Sequence, residues 1–246
     1  LSRQRCTPVE VLLGLDGATT GEADAVRARY GALFGDRLRV TRFDKVGLMP
    51  IRRTLLERAM GSVFLSINDD VRLEDSFVGS HATLHGRHIF DANPTIASGV
   101  TEWLGVEDPT VFDYAVQRSD MIFFPPAPAA DGTLSYRACY GINFSAPVQA
   151  ALDAGGFADH ANTYGYEDIE LAFRMNEHAG AVVRHCGEAL AVHDHRYGPA
   201  DTMRREYELG RAAWLFGRSS PGFTQRLFGR EIACGAEVAY WREAIG

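Results

Sequence analysis

Two short apolar runs that end in acidic residues constrain this chain more than any other feature. Val9 to Leu15 closes on Asp16-Gly17, and Val63 to Ile67 closes on Asn68-Asp69-Asp70. Runs of this length read as buried strands. Between them, Gly21 to Phe34 has helical spacing, with Glu22 and Asp24 near its start, where the helix dipole favours acids. Leu38 to Phe43 reads as a strand. Ile51 to Met60 reads as a helix turning Leu55, Leu56 and Ala59 inward and stopped by Gly61. Strand, helix, strand, helix, strand predicts right-handed crossovers and a doubly wound α/β sheet. Ligands of such sheets bind at the C-terminal strand edge, where both acidic groups stand.

The later chain is less regular. Val148 to Ala154 and Ile169 to Ala179 read as helices closed by Gly155-Gly156 and Gly180, and Ala181 to Arg184 as a strand. Phe90 to Arg118 has no clean period. Phe123 to Pro128 carries too much proline for a helix or central strand, and we expect a loop bordering a site, with 119–137 facing an acceptor or simply packed on itself. A length of 246 residues suits one domain. The net charge of −7 argues against a nucleic-acid binder. Cys6, Cys139, Cys186 and Cys234 form no CxxC pair, and free thiols in a reducing cytoplasm are expected. No apolar run is long enough to span a bilayer. The stretch from Trp214 to Trp241 is expected to pack a helical face on the core rather than to touch a membrane.

Three groups of residues carry chemistry. Asn68-Asp69-Asp70 at a strand end offers hard oxygens for Mg²⁺ or Mn²⁺, which also bind a diphosphate, although paired acids are equally at home in a solvated turn. Glu167-Asp168 precedes a helix, where acids cap and complement the dipole; as a functional group, Asp168 is a candidate general base. His193-Asp194-His195 offers imidazoles on one side of an extended segment, or a plain surface pair. His81, His85 and His88 have helical spacing without a carboxylate in register and read as a solvated helix face.

Taken in order, these groups resemble the family 2 glycosyltransferases, whose fold is called GT-A. Leu15-Asp16-Gly17 is similar to the family's first acidic turn. Gly47, Ile51-Arg52-Arg53 and Ala59-Met60-Gly61 stand at matching intervals, and Asn68-Asp69-Asp70 resembles its DxD motif with Asn in first place. Gly141 to Ser145, Gly155-Gly156-Phe157 and Tyr164 to Arg174 follow the pattern most specifically, and the likeness runs from about Val9 to Gly210. The resemblance implies a single GT-A domain over 1–200 with a mixed, mostly parallel sheet, without the family's opening strand and helix. A short helical extension follows over 201–246.

The same resemblance implies an inverting, hexosyl-type transfer from a nucleoside-diphosphate sugar to an acceptor hydroxyl or amine. Asp168 would be the base, with Glu167 holding a hydroxyl. Asp16, Lys45, Arg52, Asn68 and Asp69 would bind the donor. Asp70 and His193, or His195 in its place, would hold Mn²⁺ or Mg²⁺. Asn68 lowers the charge facing the metal, so a non-catalytic sugar- or nucleotide-binding relative is the alternative. A nucleotidyltransferase is disfavoured, since no glycine-rich phosphate loop with a basic residue follows the first strand. The donor sugar, its base and the acceptor are not legible.

Overall fold

The structure, a computed structural model, describes residues 1–119, 122 and 127–245. Strands β1 (Val11–Asp16) and β2 (Leu38–Phe43) pair in parallel, with Asp16 opposite Phe43. The crossover is helix α1 (Thr20–Phe34), started by a capping box between Thr19 and Glu22. Helix α2 (Leu48–Glu57) begins at Leu48 rather than Ile51, because Gly47 turns the chain at φ 84°. It buries Met49, Ile51 and Leu56. A Cβ at Gly14 would collide with the Ile51 side chain, so β1 lies this close to α2 only because residue 14 is glycine.

The main sheet contains β3 (Val63–Ile67), β4 (Val71–Leu73), β5 (Thr95–Trp103), β6 (Thr133–Leu134), β7 (Asn143–Pro147) and β8 (Val182–His193). Its order is β3-β7-β5-β8-β4, with β6 also on β8. The sheet is mixed, as expected, but not mostly parallel. Within it only β5 and β8 run parallel, while β3–β7, β5–β7, β4–β8 and β6–β8 are antiparallel. The turn at 68–70 separates β3 from β4 without a crossover helix, so the chain reverses here rather than winding on.

Around the sheet lie helices α3 (Phe77–Arg87), α4 (Val111–Arg118), α5 (Val148–Asp153), α6 (Glu167–Ala179), α7 (Pro199–Ser219), α8 (Pro221–Phe228) and α9 (Gly235–Ile245). The span from Phe90 to Arg118, where no period is visible, contains β5 and α4. Residues 123–126 of the proline-rich stretch lie outside the described residues. The core gathers Ile96, Phe144, Phe157, Leu171 and Met175 between the sheet, α5 and α6; each such side chain contributes about 1.5–3 kcal/mol when fully buried. A second cluster joins Met49, Ile169 and Phe173 to Ala212, Phe216 and Phe223, so α7 and α8 pack on the core, as expected for that part of the stretch from Trp214 to Trp241. Among the described residues no helix is long and apolar enough to cross a membrane. The four cysteines are free thiols.

The histidines of α3 are a correction to the sequence reading. His81 is 2% exposed, with Nδ1 2.8 Å from Ser145 Oγ and Nε2 2.9 Å from Asn143 Oδ1. His85 Nε2 lies 2.8 Å from the same Ser145 hydroxyl. Their partners come from β7, some sixty residues away, which helical spacing alone does not reveal. His85 and His88 are partly in solvent, His88 beside Asp91. Burial lowers the pKa of His81 and of His85 from 6.5 to about 4, so the folded state refuses protons that the unfolded chain accepts. Stability from these neutral imidazoles is therefore complete above about pH 6.5 and is lost as pH falls towards 4, on the order of 3 kcal/mol for His81. Urea unfolding midpoints of Glu167→Gln, which lacks a buried carboxyl titrating in the opposite sense, should hold from pH 7.5 to about 6.5 and fall from there to 4.5; a flat profile down to pH 5 in that variant would contradict the assignment.

Candidate functional site

Strand pairing assembles the site. Because β4 starts at Val71 and pairs with β8 so that Val71 faces His193, the residue just before it, Asp70, meets the end of β8. Asp70 Oδ2 lies 3.3 Å from His193 Nε2, and the Asp70 carbonyl accepts from Asp194 N at 2.8 Å. Arg72 binds the Asp194 carboxylate and fixes the same corner. His193 is buried against the edge of the Trp103 ring, at 4.9 Å between centroids, and stacks on Tyr197 at 6.2 Å. Burial lowers its pKa, against the pull of Asp70, which favours the neutral imidazole that a metal ligand requires. His195 is exposed, its ring 5.9 Å from that of His193.

A second group forms where α2, β3, β7 and α6 converge. Arg52, with a side chain only 11% exposed, donates to Glu167 Oε1 at 2.5 Å, to Asn68 Oδ1 at 2.9 Å and to the Gly141 carbonyl at 3.2 Å. Ser66 Oγ donates to that same carbonyl at 2.7 Å. A Cβ at Gly141 would collide with the Arg52 guanidinium, so residue 141 must be glycine for this junction to close. Glu167 is buried, and burial, reinforced by the carboxylate of Asp168, raises its pKa to about 7 against the opposing effect of Arg52. Its Oε2 has no partner among the described residues.

Asp168 stands in the first turn of α6. Gly141 N donates to its Oδ2 and Ile169 N to its Oδ1 at 2.8 Å, so both carboxylate oxygens are oriented by backbone. The turn into α6 is strained, with Gly165 at φ 97° and Tyr166 left-handed at φ 70°. One turn further on, Glu170 and Arg174 pair at 2.8 Å, and Arg174 reaches back to the Ala154 and Gly156 carbonyls. This clamp explains the glycine pair and the Glu170 and Arg174 positions structurally, without any catalytic role.

At the β1 edge, Asp16 Oδ1 accepts from Val46 N at 2.8 Å and Gly47 N at 3.2 Å. The Lys45 ammonium lies 3.5 Å from Asp16 Oδ2 and is 79% exposed along its side chain. Asn68 is half-buried and Asp69 exposed. The structure thus joins Arg52, Asn68, Glu167 and Asp168 through Gly141, and separately joins Asp70 to His193. Asp16 and Lys45 form a third group.

For a divalent cation, the donor set fits. Asp70 Oδ1 is buried without a partner among the described residues, Oδ2 faces His193, and the imidazole is held neutral. Among the described residues no group of three metal-binding side chains is present. Two protein ligands suit an ion whose shell is completed by phosphate oxygens and water.

Sequence reasoning missed several participants. Gly141 acts through its backbone, which no side-chain motif reports. Tyr164, Tyr197 and Arg205 lie against one another beside His193, and no spacing announces them. Arg196 binds Asp113 with two N–H groups and ties α4 to the segment after His193.

No protein-family model and no curated protein sequence matches the chain. Solved structures do. The chain resembles S. aureus TarS residues 1–349 in complex with UDP-GlcNAc at a TM-score of 0.55 and 15% identity, over 80% of this chain and 53% of that one. It resembles S. aureus TarS at 0.58 and 12%, over 88% and 35%. GalNAc-T7 with UDP, GalNAc and Mn²⁺ matches at 0.53 and 13%, over 77% and 39%. The fold is of the GT-A type. The GT-A-type chain spans about half the length, or less, of the structures it resembles.

Proposed function

We infer that the protein is a metal-assisted, inverting glycosyltransferase acting on a nucleoside-diphosphate sugar. The observation that carries this reading is the junction at Gly141. The Arg52 guanidinium joins Asn68, just past the strand bearing the acidic turn, to Glu167 and to the Gly141 carbonyl, and Gly141 N in turn holds Asp168, at the start of α6. An acidic strand end joined through one junction to a candidate base suits a single displacement at an anomeric carbon. That TarS and GalNAc-T7 were solved with UDP or a UDP-sugar supports the donor class.

Asp168 takes the proton of the acceptor hydroxyl or amine as its oxygen or nitrogen bonds to the anomeric carbon, while the bond to the nucleoside diphosphate breaks with inversion. Gly141 N and Ile169 N keep the carboxylate aimed throughout. Asp70 and His193 would hold the cation, which neutralises charge on the leaving diphosphate. Asp16, Lys45, Asn68 and Asp69 would contact the donor. Arg52 is committed to Glu167, Asn68 and Gly141, so it acts by orienting these groups rather than by free contact with phosphate.

The test is turnover of a panel of nucleoside-diphosphate sugars with Mn²⁺, read by release of nucleoside diphosphate, with the anomeric proton of any transferred sugar followed by NMR. One donor should be consumed at least tenfold faster than the rest and yield the inverted anomer. Retention would refute the single displacement. Binding of a nucleotide without turnover of any donor would favour the non-catalytic relative.

A further inference from the structure

We propose that the groove enclosed by α7, α8 and α9 is an acceptor subsite for an apolar aglycone, an aryl or alkyl group carried beside the accepting hydroxyl. The proposal deepens the transferase reading and rests on it for the word acceptor. The groove has a volume of about 1030 Å³, at the upper end of the range that holds small ligands. Its walls are Tyr166, Leu209, Trp214, Phe228, Ile232 and Val238. Trp214 is 40% exposed, Phe228 39% and Val238 36%. Large apolar side chains left half open in one concavity mark a binding surface rather than scattered surface residues.

The charged groups of the groove, Glu206 and Glu237 against Arg230 and Arg242, are equal in number and sign-balanced. Arg230 pairs with Glu237 at 3.0 Å, and Glu206 accepts from Arg205 at 2.6 Å. Such a lining offers little to a phosphate or a nucleotide and leaves recognition to aromatic faces.

Two connections tie the groove to the reacting centre. Tyr166, one of its walls, directly precedes Glu167 and Asp168 and caps their helix in a left-handed conformation. On the other side, Glu206 holds Arg205, which lies against Tyr164 and Tyr197, and Tyr197 stacks on His193. Tyr166 thus sets one wall of the groove next to the residue that would take the acceptor's proton, and an apolar group carried by that acceptor has the groove beside it. A free nucleotide-binding role is less suited to it than an apolar substituent, for the reasons of charge given above.

Gly210 supplies the means of testing this. It lines the groove within α7, and a Cβ there would meet nothing within 4 Å. Gly210→Leu therefore enters the groove from a position open at Cβ while raising helix propensity, and its thermal unfolding is checked beside wild type. Trp214→Ala removes the largest aromatic wall. Methyl, phenyl and hexyl β-glucosides are titrated by calorimetry into the wild-type chain and both variants. The phenyl or hexyl glucoside should bind at least tenfold more tightly than the methyl glucoside, the better of the two distinguishing an aromatic from an alkyl aglycone. In both variants that advantage should shrink to twofold or less, with nucleoside-diphosphate affinity in Mn²⁺ unchanged. Equal affinity for all three glucosides, or an advantage that survives in both variants, would overturn the proposal. Because affinity is read directly, absence of sugar transfer in the donor panel would count against the transferase reading and leave the groove result standing.

Discussion

Asp168→Asn should lower turnover by roughly 10²–10⁴-fold, the range that a positioned general base supplies, while nucleoside-diphosphate affinity stays within about twofold of wild type. The carboxylate is oriented by two backbone donors, Gly141 N and Ile169 N. Asparagine keeps one acceptor oxygen but turns its amide hydrogens towards the second donor, a cost of about 1–3 kcal/mol that leaves the fold intact. The loss should therefore fall on kcat rather than on the donor's KM. Glu167→Gln is the informative control, because Glu167 points to Arg52 and not to Gly141 N. Should Asp168→Asn keep a third or more of wild-type turnover, the base would have to be sought elsewhere.

Arg52→Met should be the most destabilising single change at the site. It strands the buried Glu167 carboxylate and removes donors from Asn68 and the Gly141 carbonyl. Breaking a buried pair on one side costs about 3–5 kcal/mol, or a fall in Tm of roughly 6–20 °C for a chain of this size. The pH dependence has a definite sign. Burial already raises the pKa of Glu167 to about 7, and removal of Arg52, the group that lowers it, raises it further. A carboxyl with a raised folded pKa destabilises the protein when ionised, so the deficit should be deepest above pH 7 and relieved below it. Adding Glu167→Gln to Arg52→Met should recover part of the loss, which thermal unfolding of the four members of the cycle would measure. Additive losses in that cycle would show that the two side chains are not coupled.

The strands that ended in chemistry were the legible ones. Val63 to Ile67 is apolar and short, and its acids follow at once, so β3 and its turn read directly. β5 did not, because Ala97, Ser98 and Gly99 are small residues in a strand flanked on both sides, where neither alternation nor bulk signals burial. β8 runs to His193 although its sequence suggests a stop near Arg184; the irregularity beside Gly99, where Cys186 and Leu190 follow one another on β5's register, hides the continuation. The direction of the sheet was misread for a similar reason, since antiparallel returns such as β7 carry no local mark that distinguishes them from parallel strands. At the site, side chains whose partners lie in one motif were visible in sequence. Arg52 was read as a donor contact, and neither its pairing with Glu167 nor the burial of His81 was visible, because their partners, Glu167 and Ser145, are 115 and 64 residues away.

The central claim is that Asp70 and His193 hold a cation for the nucleoside diphosphate of a donor on which Asp168 acts as base. Calorimetric titration of uridine, guanosine, adenosine, cytidine and thymidine diphosphates, with and without Mn²⁺, into the wild-type chain and Asp70→Ala tests it most directly. One diphosphate should bind selectively, at least tenfold more tightly with Mn²⁺, and that gain should vanish in Asp70→Ala. Binding that is indifferent both to Mn²⁺ and to Asp70→Ala, or no binding of any of the five, would contradict it.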